Sequence, residues 1–135
     1  MQLNQFMLQD TYPVRSLDLP KGSTNHTTDA LVEYLHRCIE AEPRAGYIAT
    51  FDHYSHTRQQ PEHEIADEIH DARLVIFCFG LRLPAPEAPA ARPRSISVVE
   101  TDDRFVISFM EAPMPLGNNL MTEWVEGLAE ASQNG

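Results

Sequence analysis

The chain is poor in the residues that staple a fold, cradle a phosphate or grip a polyanion. Two cysteines in 135 residues, Cys38 and Cys78, are too few for a disulfide framework. Each lies inside an apolar pattern, where a thiol behaves as a small hydrophobe, so both are expected to be reduced and buried. Ile76-Phe77-Cys78-Phe79 supplies no base, cation or helix start to lower a thiol pKa, which argues against a redox or sulfur-carrier role. Six scattered glycines form no phosphate loop, and Gly-x-Ser-x-Gly, His-Glu-x-x-His and Cys-x-x-Cys are all missing. With no enzyme signature, the expectation leans away from catalysis.

Positive charge is scarce as well. Ten basic residues, of which only Lys21 is a lysine, face 20 acids for a formal charge of -10. Such a chain repels polyanions, so neither nucleic acid nor an anionic membrane is an expected partner. No apolar run approaches a membrane span, and Met1 to Asp10 lacks the basic and apolar regions of a targeting segment, so a cytoplasmic protein is expected.

What remains is ordinary in size, with 42% hydrophobic residues, enough for one core without a staple. The expected organisation is a polar leader over residues 1–11, a single domain over 12–132 and a tail over 133–135. Tyr12, Val14, Leu17 and Leu19 suggest a short first strand closed by Pro20-Lys21-Gly22. Ala30, Leu31, Tyr34, Leu35, Cys38 and Ile39 then recur at helical spacing behind a capping Thr27 or Thr28, and Pro43 ends that helix. A strand over residues 45–54, a polar loop over 57–60 and a short helix opened by Pro61 and ending near Ala72 follow. Leu74 to Phe79 is apolar throughout, the pattern of a central strand covered on both faces. Four prolines between Leu83 and Pro93 predict an extended surface loop. Ser95 to Glu100 and Arg104 to Met110 alternate around Thr101-Asp102-Asp103 as a hairpin, and the segment 113–119 leads into a last helix bearing Leu120, Met121, Trp124, Val125 and Leu128. The fold class is α+β: one domain with a mixed, mostly antiparallel sheet of about five strands and two to three helices packed on one face.

That order, with Phe51-Asp52-His53 closing a strand, Leu74-Val75-Ile76-Phe77 as the central strand and a hairpin before the terminal helix, resembles the uncharacterised bacterial and archaeal family catalogued as domain of unknown function 302. The resemblance covers about residues 12–130, and the proline-rich stretch replaces the small-residue helical turn usual in such proteins. It implies an α+β sandwich, often a homodimer, with no established reaction and no functional residue to transfer.

Chemistry concentrates in two places. Four of the six histidines, His53, His56, His63 and His70, stand among acids between residues 52 and 71. On a helix beginning at Pro61, with Ile65 at zero, His63, Asp67 and His70 fall at roughly 160°, 200° and 140°, on the side opposite Ile69 and Ala72. One turn apart, they would offer ligands to Zn, Cu or Ni, with His53 and His56 closing the shell. The alternatives are a solvated polar face, or His53 beside Asp52 as a general base. The second place is the bend entering the last helix, where Met114, Gly117, Asn118 and Asn119 meet Arg92 and Arg94 from the proline-rich loop, as an anion seat or a ligand pocket. Asn118 or Asn119 as a simple helix cap, and the methionines as core filler, are the plainer alternatives.

Three functions follow in order of economy. The first is a non-enzymatic accessory or ligand-binding protein, homodimeric, taking a small molecule or a protein partner in a pocket between the sheet and the 84–93 and 113–119 loops. The second is a transition-metal protein using His53, His56, His63, Asp67 and His70, and the third a small enzyme with a histidine base.

Overall fold

The computed structural model of the chain describes residues 3–23 and 26–134. Residues 1–2 of the expected leader and residue 135 of the expected tail lie outside the described residues. Among the described residues the fold is α+β: a six-stranded antiparallel sheet and three α-helices. Strands β1 (Asn4–Leu8) and β2 (Tyr12–Pro20) form a hairpin. Helix α1 (Thr28–Ala41) follows, then β3 (Gly46–Asp52), the short helix α2 (His53–Arg58), β4 (Asp71–Cys78), β5 (Arg94–Glu100), β6 (Arg104–Met110) and α3 (Pro115–Asn134). The spatial order is β1-β2-β6-β5-β4-β3, so the last strand of the meander slots beside the first hairpin.

The local choices follow the sequence. The Thr27 hydroxyl accepts the Ala30 N–H at 3.1 Å and starts α1, whose Leu31, Leu35 and Ile39 are fully buried. The hairpin β5–β6 pairs Val98 with Ile107, and its turn is tied by the Thr101 hydroxyl donating to the Arg104 carbonyl. By register, Leu17, Leu19, Val75, Phe77, Ile96, Val98, Phe105, Ile107 and Phe109 share one face of the sheet, and there α1 and α3 bury them. Phe77, Phe79 and Trp124 join the two layers with ring centroids 5.4–5.9 Å apart.

Three expectations are corrected. Part of the anticipated leader is strand β1, which adds the sixth strand to the edge of β2. The strand Leu74–Phe79 is next to the edge rather than central, and α1 and α3 cover only one of its faces, so Leu74 and Ile76 are only half-buried. No helix forms after Pro61; α2 sits earlier, at residues 53–58, and residues 59–70 run as turns and coil. The last difference has a physical cause. A short helix needs an apolar face to bury, and Ile65 and Ile69 are the only large aliphatics among Glu62, Glu64, Asp67 and Glu68. Asp52, by contrast, is a good cap: its carboxylate accepts both the N–H and the hydroxyl of Ser55 at 3.0 Å.

Among the described residues, no helix is long and apolar enough to cross a membrane.

Candidate functional site

The histidine segment does not converge. His53 Nδ1 bonds the Thr57 hydroxyl at 2.9 Å, and the rings of His53 and His56 lean on Phe51 with centroids 5.3 Å away. His63 Nδ1 donates to the Gln60 carbonyl at 2.9 Å, and His70 Nε2 donates to the Asp102 carboxylate. His63, Asp67 and His70 do line one broad, open depression of about 570 Å³ together with Tyr54 and Arg58. Among the described residues, however, no three His, Cys, Asp or Glu side chains gather closely enough to hold a metal ion. The capping role of Asp52 also binds its carboxylate beside His53: the Ser55 N–H, with help from the Ser55 hydroxyl and Arg73, holds its pKa below the usual carboxylate value. Cys38 and Cys78 are free and lie on separate elements, only half-buried, and burial pushes the Cys38 thiol pKa up.

The second region folds into a site. A cavity of about 190 Å³ lies at the end of the sheet. Phe79 lines it after β4; Ala88, Ala91, Arg92 and Arg94 come from the proline-rich segment and the start of β5; Ala112, Pro113 and Met114 come from the bend before α3. Each wall has a local cause. Prolines 84, 86, 89 and 93 keep the 83–93 segment out of any ladder, and it closes over the sheet end through a short 3-10 turn at Ala88–Ala91. Gly80 lets it do so: a Cβ there would stand 2.9 Å from Cys78 Sγ and 3.0 Å from Arg92 Nη1, whereas glycine leaves room for the Arg92 side chain to cross and donate to the Arg82 carbonyl at 2.6 Å. Gly117 does the same on the other wall, where a Cβ would come within 3.2 Å of Phe79 Cε2.

Arg94 is the polar anchor. Nη2 donates to the carbonyls of Met110 and Glu111, both at 2.8 Å, and Nη1 to that of Ala91 at 3.2 Å. Burial lowers its pKa from the ordinary arginine value. The Glu111 carboxylate is engaged elsewhere, accepting from Arg15 Nε at 3.0 Å. Among the described residues neither Arg92 nor Arg94 has a carboxylate partner, so the cavity edge carries two guanidinium charges beside apolar walls.

Of the residues singled out for this region, Arg92 and Arg94 from the proline-rich loop and Met114 from the bend line the cavity, and Gly117 lies behind Phe79. Asn118 is not a cap. Helix α3 begins at Pro115, which needs no N–H partner, and the Asn118 side chain reaches back to Ala112, accepting from its N–H at 2.6 Å and donating to its carbonyl at 3.0 Å. Asn119 is exposed on the helix and lines nothing here. Phe79, Ala88 and Ala91 were not anticipated as lining; small residues in a loop give no sequence signal, and Phe79 reads as part of a core strand.

These features define a class: a single α+β domain with helices on one face of an open antiparallel sheet and an apolar, arginine-edged cavity at its end. The chain belongs to the family of unknown function DUF6858, whose model matches residues 3–130. The match is to that uncharacterised family and not to domain of unknown function 302. No curated protein and no solved structure matches.

Proposed function

We propose that this chain is a non-enzymatic ligand-binding protein, and that its ligand is a small molecule with an apolar body and an anionic group. The observation that carries the reading is the pairing of an apolar cavity with two guanidinium groups that lack a carboxylate partner. A volume of about 190 Å³ suits a body near the size of a benzene ring, since an apolar cavity of ~150 Å³ takes benzene. Phe79, Ala112 and Met114 offer contact to such a body, and an arginine edge favours a carboxylate or phosphate over a neutral group. The metal and histidine-base readings have weaker support, because Thr57, Gln60 and Asp102 each occupy a different imidazole.

The test is a titration with benzoate, followed by the methyl NMR signals of Ala88, Ala91, Ala112 and Met114, with benzyl alcohol as the neutral analogue. Benzoate is expected to shift those four methyls and to bind more tightly than the alcohol, and Met114→Trp, which fills the cavity, is expected to abolish the shifts. Unmoved methyls at millimolar benzoate would refute the cavity reading; equal affinity for the alcohol would refute the anionic part.

A further inference from the structure

The face of the sheet opposite α1 and α3 is covered among the described residues only at its β3 edge, where His53 and His56 of α2 lean on Phe51, and we infer that the remainder, from β1 to β4, is covered by the same face of a second copy of this chain. By register this face presents Phe6 and Leu8 of β1, Tyr12 and Val14 of β2, Ser108 and Met110 of β6, Ser95 and Ser97 of β5, and Leu74 and Ile76 of β4. It lies on the other side of the sheet from the arginine-edged cavity and does not depend on the ligand reading.

Four observations point to a partner, and to this partner. First, the run Leu74–Phe79 has the composition of a strand buried on both faces, yet Leu74 and Ile76 on this face are only half-buried among the described residues. Phe6, Leu8, Tyr12 and Met110 are 45–48% exposed on the same surface, large apolar side chains grouped rather than scattered. Second, the hydroxyls in its middle hold bonds within the chain: Ser16 and Ser108 share a hydrogen bond of 2.9 Å, and the Ser97 hydroxyl donates to the Ser108 carbonyl at 3.2 Å. Each of these three hydroxyls already takes part in a hydrogen bond within the chain, which lowers the cost of covering it.

Third, charge selects the occupant. The chain carries a formal -10, but on this face the register places charge only at one end, where Asp18 and Arg104 pair at 3.7 Å. A basic protein or polyanion would find nothing to grip there, whereas a neutral face complements itself. Fourth, size and shape fit. The five strands β1, β2, β6, β5 and β4, about 4.8 Å apart and about seven residues long at ~3.3 Å per residue, project to ~550 Å², near the lower end of the ~600–1,000 Å² per partner of a standard interface. Phe6, Leu8 and Tyr12 stand as a ridge beside a groove of about 510 Å³ floored by Ser95, Ser97 and Ser108. A two-fold axis along the strands sets each ridge over the other copy's groove, an isologous contact that closes at two copies.

Sedimentation velocity on the full chain tests this. The expected species at micromolar concentration has twice the 15.3 kDa chain mass, and its association strengthens with added salt, because screening relieves repulsion between two acidic protomers. Phe6→Asp with Tyr12→Asp places charge on the ridge of exposed hairpin strands and is expected to weaken the dimer about thirtyfold or more. Leu81→Asp with Leu83→Asp, on a loop where both leucines are more than 70% exposed, is expected to leave it intact. A monomeric wild type, a dimer insensitive to the ridge pair, or a dimer broken by the loop pair overturns the inference. Should the ridge variant not fold, radical footprinting of the wild type decides: Tyr12 and Met110 must become protected as concentration rises while Leu81 and Leu83 do not, and unprotected Tyr12 and Met110 overturn it equally.

Discussion

Replacing Asn118 by alanine removes one side chain that satisfies both backbone groups of Ala112, and the cost can be worked from that geometry. The Asn118 carboxamide accepts the Ala112 N–H at 2.6 Å and donates to the Ala112 carbonyl at 3.0 Å, and Ala112 is 8% exposed. Each stranded backbone group costs about 1–3 kcal/mol, water reaching part of the bend keeps both near the lower end, and alanine in the first turn of α3 returns ~0.5 kcal/mol of helix propensity. The net expected loss is about 1.5–3 kcal/mol. At ~2.1 cal/mol/K of unfolding entropy per residue, a chain of this length loses ~3.5 °C per kcal/mol, so the thermal midpoint should drop by about 5–10 °C. Urea denaturation by circular dichroism reads the free energy directly, with an unchanged slope showing that the unfolded state is not altered. The same variant should weaken benzoate binding, because Ala112 and Pro113 line the cavity the bend holds closed. A loss below about 0.5 kcal/mol, within the range of a neutral surface change, would show that the bend does not depend on Asn118 and would refute the reasoning.

Two further outcomes test other parts of the structure. Leu35→Ala, at a fully buried position of α1, should cost about 2–5 kcal/mol by urea titration, and a smaller loss would place α1 less deeply against the sheet. The depressed pKa of the Asp52 carboxyl makes its contribution complete above the unfolded value of about 3.9 and lost as pH falls through the folded one. Stability should therefore decline on acidification below about pH 4, and less steeply in Asp52→Asn, which keeps the cap without the charge; equal slopes in urea midpoint against pH would remove Asp52 from the account.

The cavity and the histidine segment show where sequence reading works and where it stops. Prolines 84, 86, 89 and 93 exclude a ladder on their own chemistry, and a bend rich in Pro, Gly and Asn at residues 113–119 announces a tight entry to a helix. That both lie at the same sheet end, with Arg92 and Arg94 between them, depends on β5 and β6 pairing beside β4. The histidines are the opposite case. Their spacing suits a helical face, but spacing counts only if the helix forms, and the Asp52 cap placed the helix one segment earlier. His70 then met Asp102, a residue 32 positions away whose turn chemistry gave no hint of that contact.

Taken alone, the amino-acid order determined the α+β class, the α1 stripe ending in Ile39, the β5–β6 hairpin and the exclusion of the proline-rich stretch from the sheet, because each rests on side-chain periodicity or backbone restriction within a few residues. Only the tertiary structure decided that β1 joins the sheet, that Leu74 and Ile76 look out from the face opposite α1 and α3, and that two arginines edge a cavity. Those outcomes arise from pairings between distant strands and from which face the helices choose. Such choices are made by the total apolar area buried, which no local pattern encodes.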